Sequence, residues 1–142
     1  DNVQIVAIKN NYSYTPSVEG AFASLSVTVD IGLFTPGFGE WSLVVEQAGV
    51  RFYADIPANS FGITWRSKIA SGLTASAFVT DLNFVSGSSP NPDLRPDFSQ
   101  SGAPIKFGIV MGNNVLGTNI SNGAFVGTAE LGLDNFSLTI TR

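Results

Sequence analysis

The chain has neither cysteine nor histidine among its 142 residues. It therefore has no disulfide, no thiolate nucleophile and no imidazole base. The usual ligands of zinc, copper and haem are missing. Ser–His–Asp and Cys–His catalysis are excluded outright. Charge is scarce too, at 13% of residues, with a formal net charge of −4. The clustered Lys and Arg of a nucleic-acid footprint are not there. No apolar run approaches the ~18–20 residues of a membrane-spanning helix. No segment carries capped helical periodicity, an exact repeat or a low-complexity tract.

What remains is apolar, β-patterned and rich in phenylalanine. Hydrophobic residues make up 44% of the chain, Phe alone accounts for 11 residues, and the mean hydropathy is +0.23. Two explanations fit: a well-filled β core, or apolar surface buried against another chain. Short alternating stretches recur between Gly, Asn, Ser and Pro. They predict an all-β, antiparallel β-sandwich of the jelly-roll kind, in a single domain over 1–142. Residues 1–16 read as an N-terminal arm or donor strand.

The clearest unit is WSLVVEQAGVRFYADI, residues 41–56. With Ala48-Gly49 as a two-residue turn, Trp41, Leu43, Val45, Phe52, Ala54 and Ile56 share one face. Glu46 then meets Arg51, Val44 meets Tyr53 and Ser42 meets Asp55. A three-residue loop would set Val45 opposite Arg51, so the pattern selects the shorter turn. Ala48 must then adopt positive φ, which a Cβ disfavours. In FGITWRSKI (61–69), alternation predicts Phe61, Ile63, Trp65 and Ile69 inward, with Thr64, Arg66 and Lys68 outward. Residues 23–31 place Leu25, Val27, Val29 and Ile31 inward. Ile105, Phe107, Ile109 and Met111 form another apolar face, as do Phe136, Leu138 and Ile140. Weaker strands are expected near 3–8, 76–85 and 124–131.

The segment 86–104 has loop chemistry throughout. Pro90, Pro92, Pro96 and Pro104 keep it out of a ladder. It reads as a strap anchored by Phe98, with Arg95 paired to Asp93 or Asp97.

Several residues are candidates for binding. Trp41 and Trp65 fall on apolar faces and read as core. Tyr53, flanked by Arg51 and Asp55, offers a ring beside polar groups, as a carbohydrate site would. Its alternative is a plain solvated face with a Glu46–Arg51 pair. Tyr12 and Tyr14, in NNYSYTP, are either a loop-borne contact site or a cap on the core. The acids are scattered, and nothing signals a glycosidase carboxylate pair. Calcium is the one plausible metal, because it accepts oxygen ligands, although no EF-hand pattern is present. Asn11, Asn119 and Asn135 fit the N-glycosylation triplet.

Four segments, GEWSLVVEQAGVRFYADI, FGITWRSKIASGLTASAF, RPDFSQSGAPIKFGIVM and LGLDNFSLTI, occur in an order that resembles secreted bacterial surface domains. These are the domains found in PEP-CTERM sorting proteins, with the galactose-binding-like jelly roll of many carbohydrate-binding modules. The resemblance spans residues 20–142. It implies a structural calcium ion held by Asp134 of the closing "DN" strand, with Glu19 as a partner. The sorting signal is absent, and residues 1–16 do not match.

The expected function is a non-catalytic structural subunit that associates with itself in a filament, pilus-like fibre or surface layer. The alternative is a module that binds polysaccharide. The start at Asp1, without methionine, gives the expectation of a processed chain, extracellular or on the cell surface, whose signal has been removed. Val3, Ile5, Val6 and Ile8 are the expected assembly residues. They are β-branched and fall on both parities of the first strand, as in a strand covered on two faces.

Overall fold

The computed structural model describes residues 3–33, 38–57, 64–80, 93–114 and 131–142. Seven strands are present there: β1 (Val3–Tyr14), β2 (Ser24–Leu33), β3 (Phe38–Gln47), β4 (Val50–Ile56), β5 (Thr64–Leu73), β6 (Ile105–Asn114) and β7 (Leu131–Thr141). They form two antiparallel sheets, ordered β1-β6-β3-β4 and β5-β2-β7, packed face to face as a β-sandwich. One helical turn, α1 (Pro16–Glu19), and a 3-10 turn, Ala75–Ala77, complete the elements. No helix among the described residues is long and apolar enough to cross a membrane.

The hairpin forms in the two-residue register, with Trp41 opposite Ile56, Leu43 opposite Ala54 and Val45 opposite Phe52. All six side chains are buried. Ala48 (φ 51°) and Gly49 (φ 80°) both take positive φ, as a type I′ turn requires. Leu25, Val27, Val29 and Ile31 of β2 face them, joined by Ile105, Phe107 and Ile109 of β6.

One end of the sandwich is closed by rings. Phe98 stacks on Phe22 at 4.3 Å and meets Phe78 edge-on at 5.7 Å. Tyr14 meets Phe22 edge-on at 5.2 Å. The strap is thus anchored by Phe98, which is buried. Gln47, the last residue of β3, holds it as well. Its amide nitrogen donates to the carbonyls of Asp97 and Ala103, each at 2.8 Å, and its oxygen accepts the Asp97 N–H at 2.7 Å. Gly102 leaves room for this, because a Cβ there would press on the Asp97 carbonyl and lie 3.1 Å from the Gln47 amide.

Four expectations are corrected. Trp65 and Ile69 are exposed, not core; Phe61 and Ile63 lie outside the described residues. β5 is an edge strand, and its inward parity carries Arg66, Lys68 and Ala70, opposite Ile31, Val29 and Val27. Long aliphatic stems can cover a sandwich margin while their charged heads reach water. Second, the first strand does not stop near residue 8. β1 runs on to Tyr14 with a register slip between Ile8 and Ser13. Third, residues 75–77 form the 3-10 turn, and in the described part of 76–85 only Val79 pairs, bridging Tyr53. Fourth, Arg95 donates to the Leu94 carbonyl, while Asp97 accepts from Ser99. Ion pairs among the described residues are Arg51–Glu46 and Lys106–Glu46. Pro90, Pro92, Asn119 and most of 124–131 lie outside the described residues.

Candidate functional site

The Tyr53 face is less open than its sequence suggests. β4 aligns Arg51, Tyr53 and Asp55 on the outer side of the four-stranded sheet, as expected. Arg51 Nε donates to Glu46 at 3.1 Å, and Asp55 accepts the Ser42 hydroxyl at 3.2 Å. Tyr53 is half-buried against Val44 and Val110, with Val6 and Ile8 packed on the same cluster. Its backbone exchanges two hydrogen bonds with Val79, at 2.8 and 2.9 Å. Ring and charges are committed to the fold.

The two tyrosines of β1 separate. Tyr14 is a core cap, its hydroxyl donating to the Gly20 carbonyl at 2.8 Å. Tyr12 is 62% exposed, with Lys9 Nζ 4.3 Å from its ring centre.

Among the described strands, β1 is an edge. Val6 sits opposite Val110 and Ile8 opposite Gly108, on the outer face. Ile5 and Ala7 lie opposite Met111 and Ile109, on the inner parity, yet both are exposed. The Val3 backbone sits opposite Asn113; its side chain lies outside the described residues. Between this margin and β7, the edge of the other sheet, a solvent-open cleft of about 490 Å³ is floored by Phe107, Ile109, Leu133 and Phe136. Gly108 brings β1 close: a Cβ there would collide with the Ala7 carbonyl and lie 2.9 Å from Ile8 Cα.

Asp134 and Glu19 do not meet. Asp134 stands opposite Asp30 near the start of β7, whereas the Glu19 carbonyl accepts Arg142 just beyond its end, at 2.6 Å. Those two places on β7 are about 25 Å apart along an extended strand. Calcium ligands lie at ~2.3–2.6 Å, so one ion cannot take both side chains. The Glu19 carboxylate instead accepts the Thr15 N–H at 2.6 Å. Among the described residues no three acids converge.

The other outer face, on β5-β2-β7, carries Trp65 and Ile69, which alternation placed in the core, beside polar residues. Trp65 is 51% exposed and Ile69 65% exposed. Trp65 stands opposite Gly32, Ser67 opposite Asp30 and Ile69 opposite Thr28. Asn135 Nδ2 donates to Asp30 at 2.7 Å, and the Ser67 hydroxyl donates to its other oxygen. These bonds, Asn135 first and Ser67 second, hold the Asp30 carboxyl below the ordinary aspartate value. Asn135 takes positive φ (49°) in a bulge of β7, and its N–H is held by Asp134 Oδ1 at 2.8 Å. The Ser-x-Thr-x-Asp alternation of 26–30 was the available sequence signal for a polar outer face here.

No family model matches the chain, and no curated protein or solved structure matches it.

Proposed function

We propose that the chain is a non-catalytic structural β-sandwich of the extracellular or cell-surface kind. It associates with further copies of itself through the β1 margin, building a filament, pilus-like fibre or surface layer.

The observation that carries this reading is β1 itself. Natural sheet edges are kept short, charged, proline-bearing or covered. β1 is a 12-residue edge whose one charged residue is Lys9 and which has no proline. Lys9 and the register slip between Ile8 and Ser13 are the protecting devices it shows, and both lie beyond residues 3–8. Ile5 is 55% exposed at this margin, and the apolar cleft lies alongside it. By contrast, the opposite edge, β4, is partly covered by Val79. A strand from a second copy laid along β1 would satisfy its outward backbone groups and cover Ile5 and the cleft. The absence of histidine and cysteine and the committed polar groups of the Tyr53 face support a role without catalysis.

The test is mass and shape in solution, by sizing with light scattering and by negative-stain imaging. The chain should form high-mass assemblies. Ile5→Lys with Ala7→Lys, both at exposed positions, should give a folded monomer with an unchanged circular-dichroism spectrum. A wild-type chain that stays monomeric at high concentration overturns the reading. Deleting 1–9 is less informative, because it also strips Val6 and Ile8 from Val44 and Val110.

A further inference from the structure

We infer that Met111 is a reversible oxidation site for peroxide, and that its sulfoxide oxygen is received by the indole N–H of Trp41. The inference concerns one row of side chains on the inner face of the four-stranded sheet. It holds whether or not copies associate.

The first argument is an unmet donor. Trp41 is 2% exposed, and its Nε1 has no hydrogen-bond partner among the described residues. Buried polar groups are nearly always paired, because an orphaned one has given up water for nothing. An indole N–H donates only, so what it lacks is an acceptor.

The second argument is the neighbour. Trp41 on β3 stands opposite Met111 on β6, and Met111 stands opposite Ile5 on β1. On its other side Trp41 faces Ile56 of β4. The row therefore runs Ile5, Met111, Trp41, Ile56 from margin to core. The two isoleucines have no polar side-chain atom, so Met111 is the member that can become an acceptor. Directly opposite residues have Cβ atoms about 4.5–5.5 Å apart. Methionine has three rotatable bonds with which to place its sulfur. The thioether is a weak acceptor and does not bond the indole as it stands. A sulfoxide is polar and carries its oxygen one bond beyond the sulfur.

The third argument is access. Ile5 is 55% exposed, and Met111 beside it is half-buried. Ile109, two residues along β6, floors the solvent-open cleft on this side. Hydrogen peroxide is little larger than water and reaches a sulfur that is not enclosed. Met111 is the single methionine, and with no cysteine the chain holds no other sulfur. In the reaction the Met111 sulfur attacks one peroxide oxygen. The O–O bond breaks, an S–O bond forms, and the second oxygen leaves as water with both protons. Sulfur gives up two electrons and the peroxide takes them. In most cores this is a lesion, because the polar product disrupts apolar packing. Here a buried donor stands ready for it, so the oxidised chain stays folded.

The experiment treats the full chain with dilute hydrogen peroxide, at a dilution where copies are separate. Intact mass and peptide mapping locate the added oxygen. Met111 should be oxidised without denaturant, and the circular-dichroism spectrum should not change. In proton–nitrogen correlation spectra the Trp41 indole resonance, told from that of Trp65 by Trp65→Phe, should move downfield. Its exchange with solvent should slow by roughly fivefold, as a new net hydrogen bond implies. A methionine sulfoxide reductase should restore the first spectrum. In Met111→Leu the resonance should ignore peroxide. The urea midpoint should fall further on oxidation in Trp41→Phe, which keeps a ring without the N–H, than in the wild type. The resonance needs no change at Trp41, so it decides even where Trp41→Phe does not fold. Oxidation of Met111 only in urea overturns the inference, as does a wild type that unfolds when oxidised. So does an unmoved Trp41 resonance, or an equal fall in midpoint for the two chains.

Discussion

Gln47 and Asp97, fifty positions apart, are joined in both directions: the Gln47 amide donates to the Asp97 carbonyl at 2.8 Å and accepts the Asp97 N–H at 2.7 Å. With the bond to Ala103, one buried side chain serves three backbone groups of the strap. Gln47→Ala should cost about 1–3 kcal/mol, because those groups lose their partner without regaining water. Urea denaturation measures it. A Gln47→Glu chain should fare no better, since a carboxylate cannot donate to two carbonyls.

Phe98 anchors the same segment by stacking. Phe98→Ala should cost roughly 3–5 kcal/mol, the range for emptying a buried aromatic site. The melting temperature reads this directly, and an unchanged value would mean that Gln47 alone holds the strap.

Ala48 sits at φ 51° in the hairpin turn. Left-handed backbone costs a residue with a Cβ on the order of 1–2 kcal/mol. Asn-Gly is the preferred pair for this turn. Ala48→Asn should therefore stabilise the chain by up to about 1 kcal/mol. A lower denaturation midpoint would count against the turn assignment.

Gly108→Ala should loosen β1 from β6 while leaving the β3–β4 hairpin intact. The added Cβ meets backbone, at Ala7 and Ile8, and backbone cannot swing aside. Hydrogen exchange should quicken in residues 3–8 and stay slow in 41–56. If the proposed role of β1 holds, assembly should weaken in step.

Acid should destabilise the chain through Asp97. The Ser99 hydroxyl, first, and the Ser99 N–H lower its pKa. A folded pKa below the unfolded one means the stabilisation is complete above about pH 4–5 and is lost as pH falls through the folded value. Asp30 acts in the same sense through Asn135 and Ser67. With no histidine, no side chain of ordinary pKa titrates between pH 5.5 and 8. The urea midpoint should be flat in that window and fall below pH 4, and Asp97→Asn should flatten part of that fall.

The hairpin was legible because one register alone gathers Trp41, Leu43, Val45, Phe52, Ala54 and Ile56 on a single face. β2 was legible for the same reason, since its inward side chains are all apolar. β5 was not, because an edge strand can point arginine and lysine stems along the inner margin and leave a tryptophan outside. Alternation reports that two faces differ, and burial decides which is which. The Asp30–Asn135 contact spans 105 positions and depends on a bulge, which has no local signature. Gln47 escaped notice because its partners are main-chain groups, which any sequence could supply.

The crossings between sheets have a consequence for how the chain is made. Among the described strands, β3 and β4 are the one successive pair that lies side by side; each of the others lies in the sheet opposite the strand before it. β2 is the middle of its sheet, yet Ser24 through Leu33 pair with Thr141 through Leu131. After β2 ends at Leu33, a ribosome must deliver everything up to Leu131 before that partner begins. Until then β2 can pair with β5 alone and keeps one edge open. Long-range pairings of this kind slow folding and prolong the exposure of unpaired strands. Release of β7 from the ribosome is therefore the step that seals the three-stranded sheet, and premature termination before Leu131 should yield a sticky, protease-sensitive fragment.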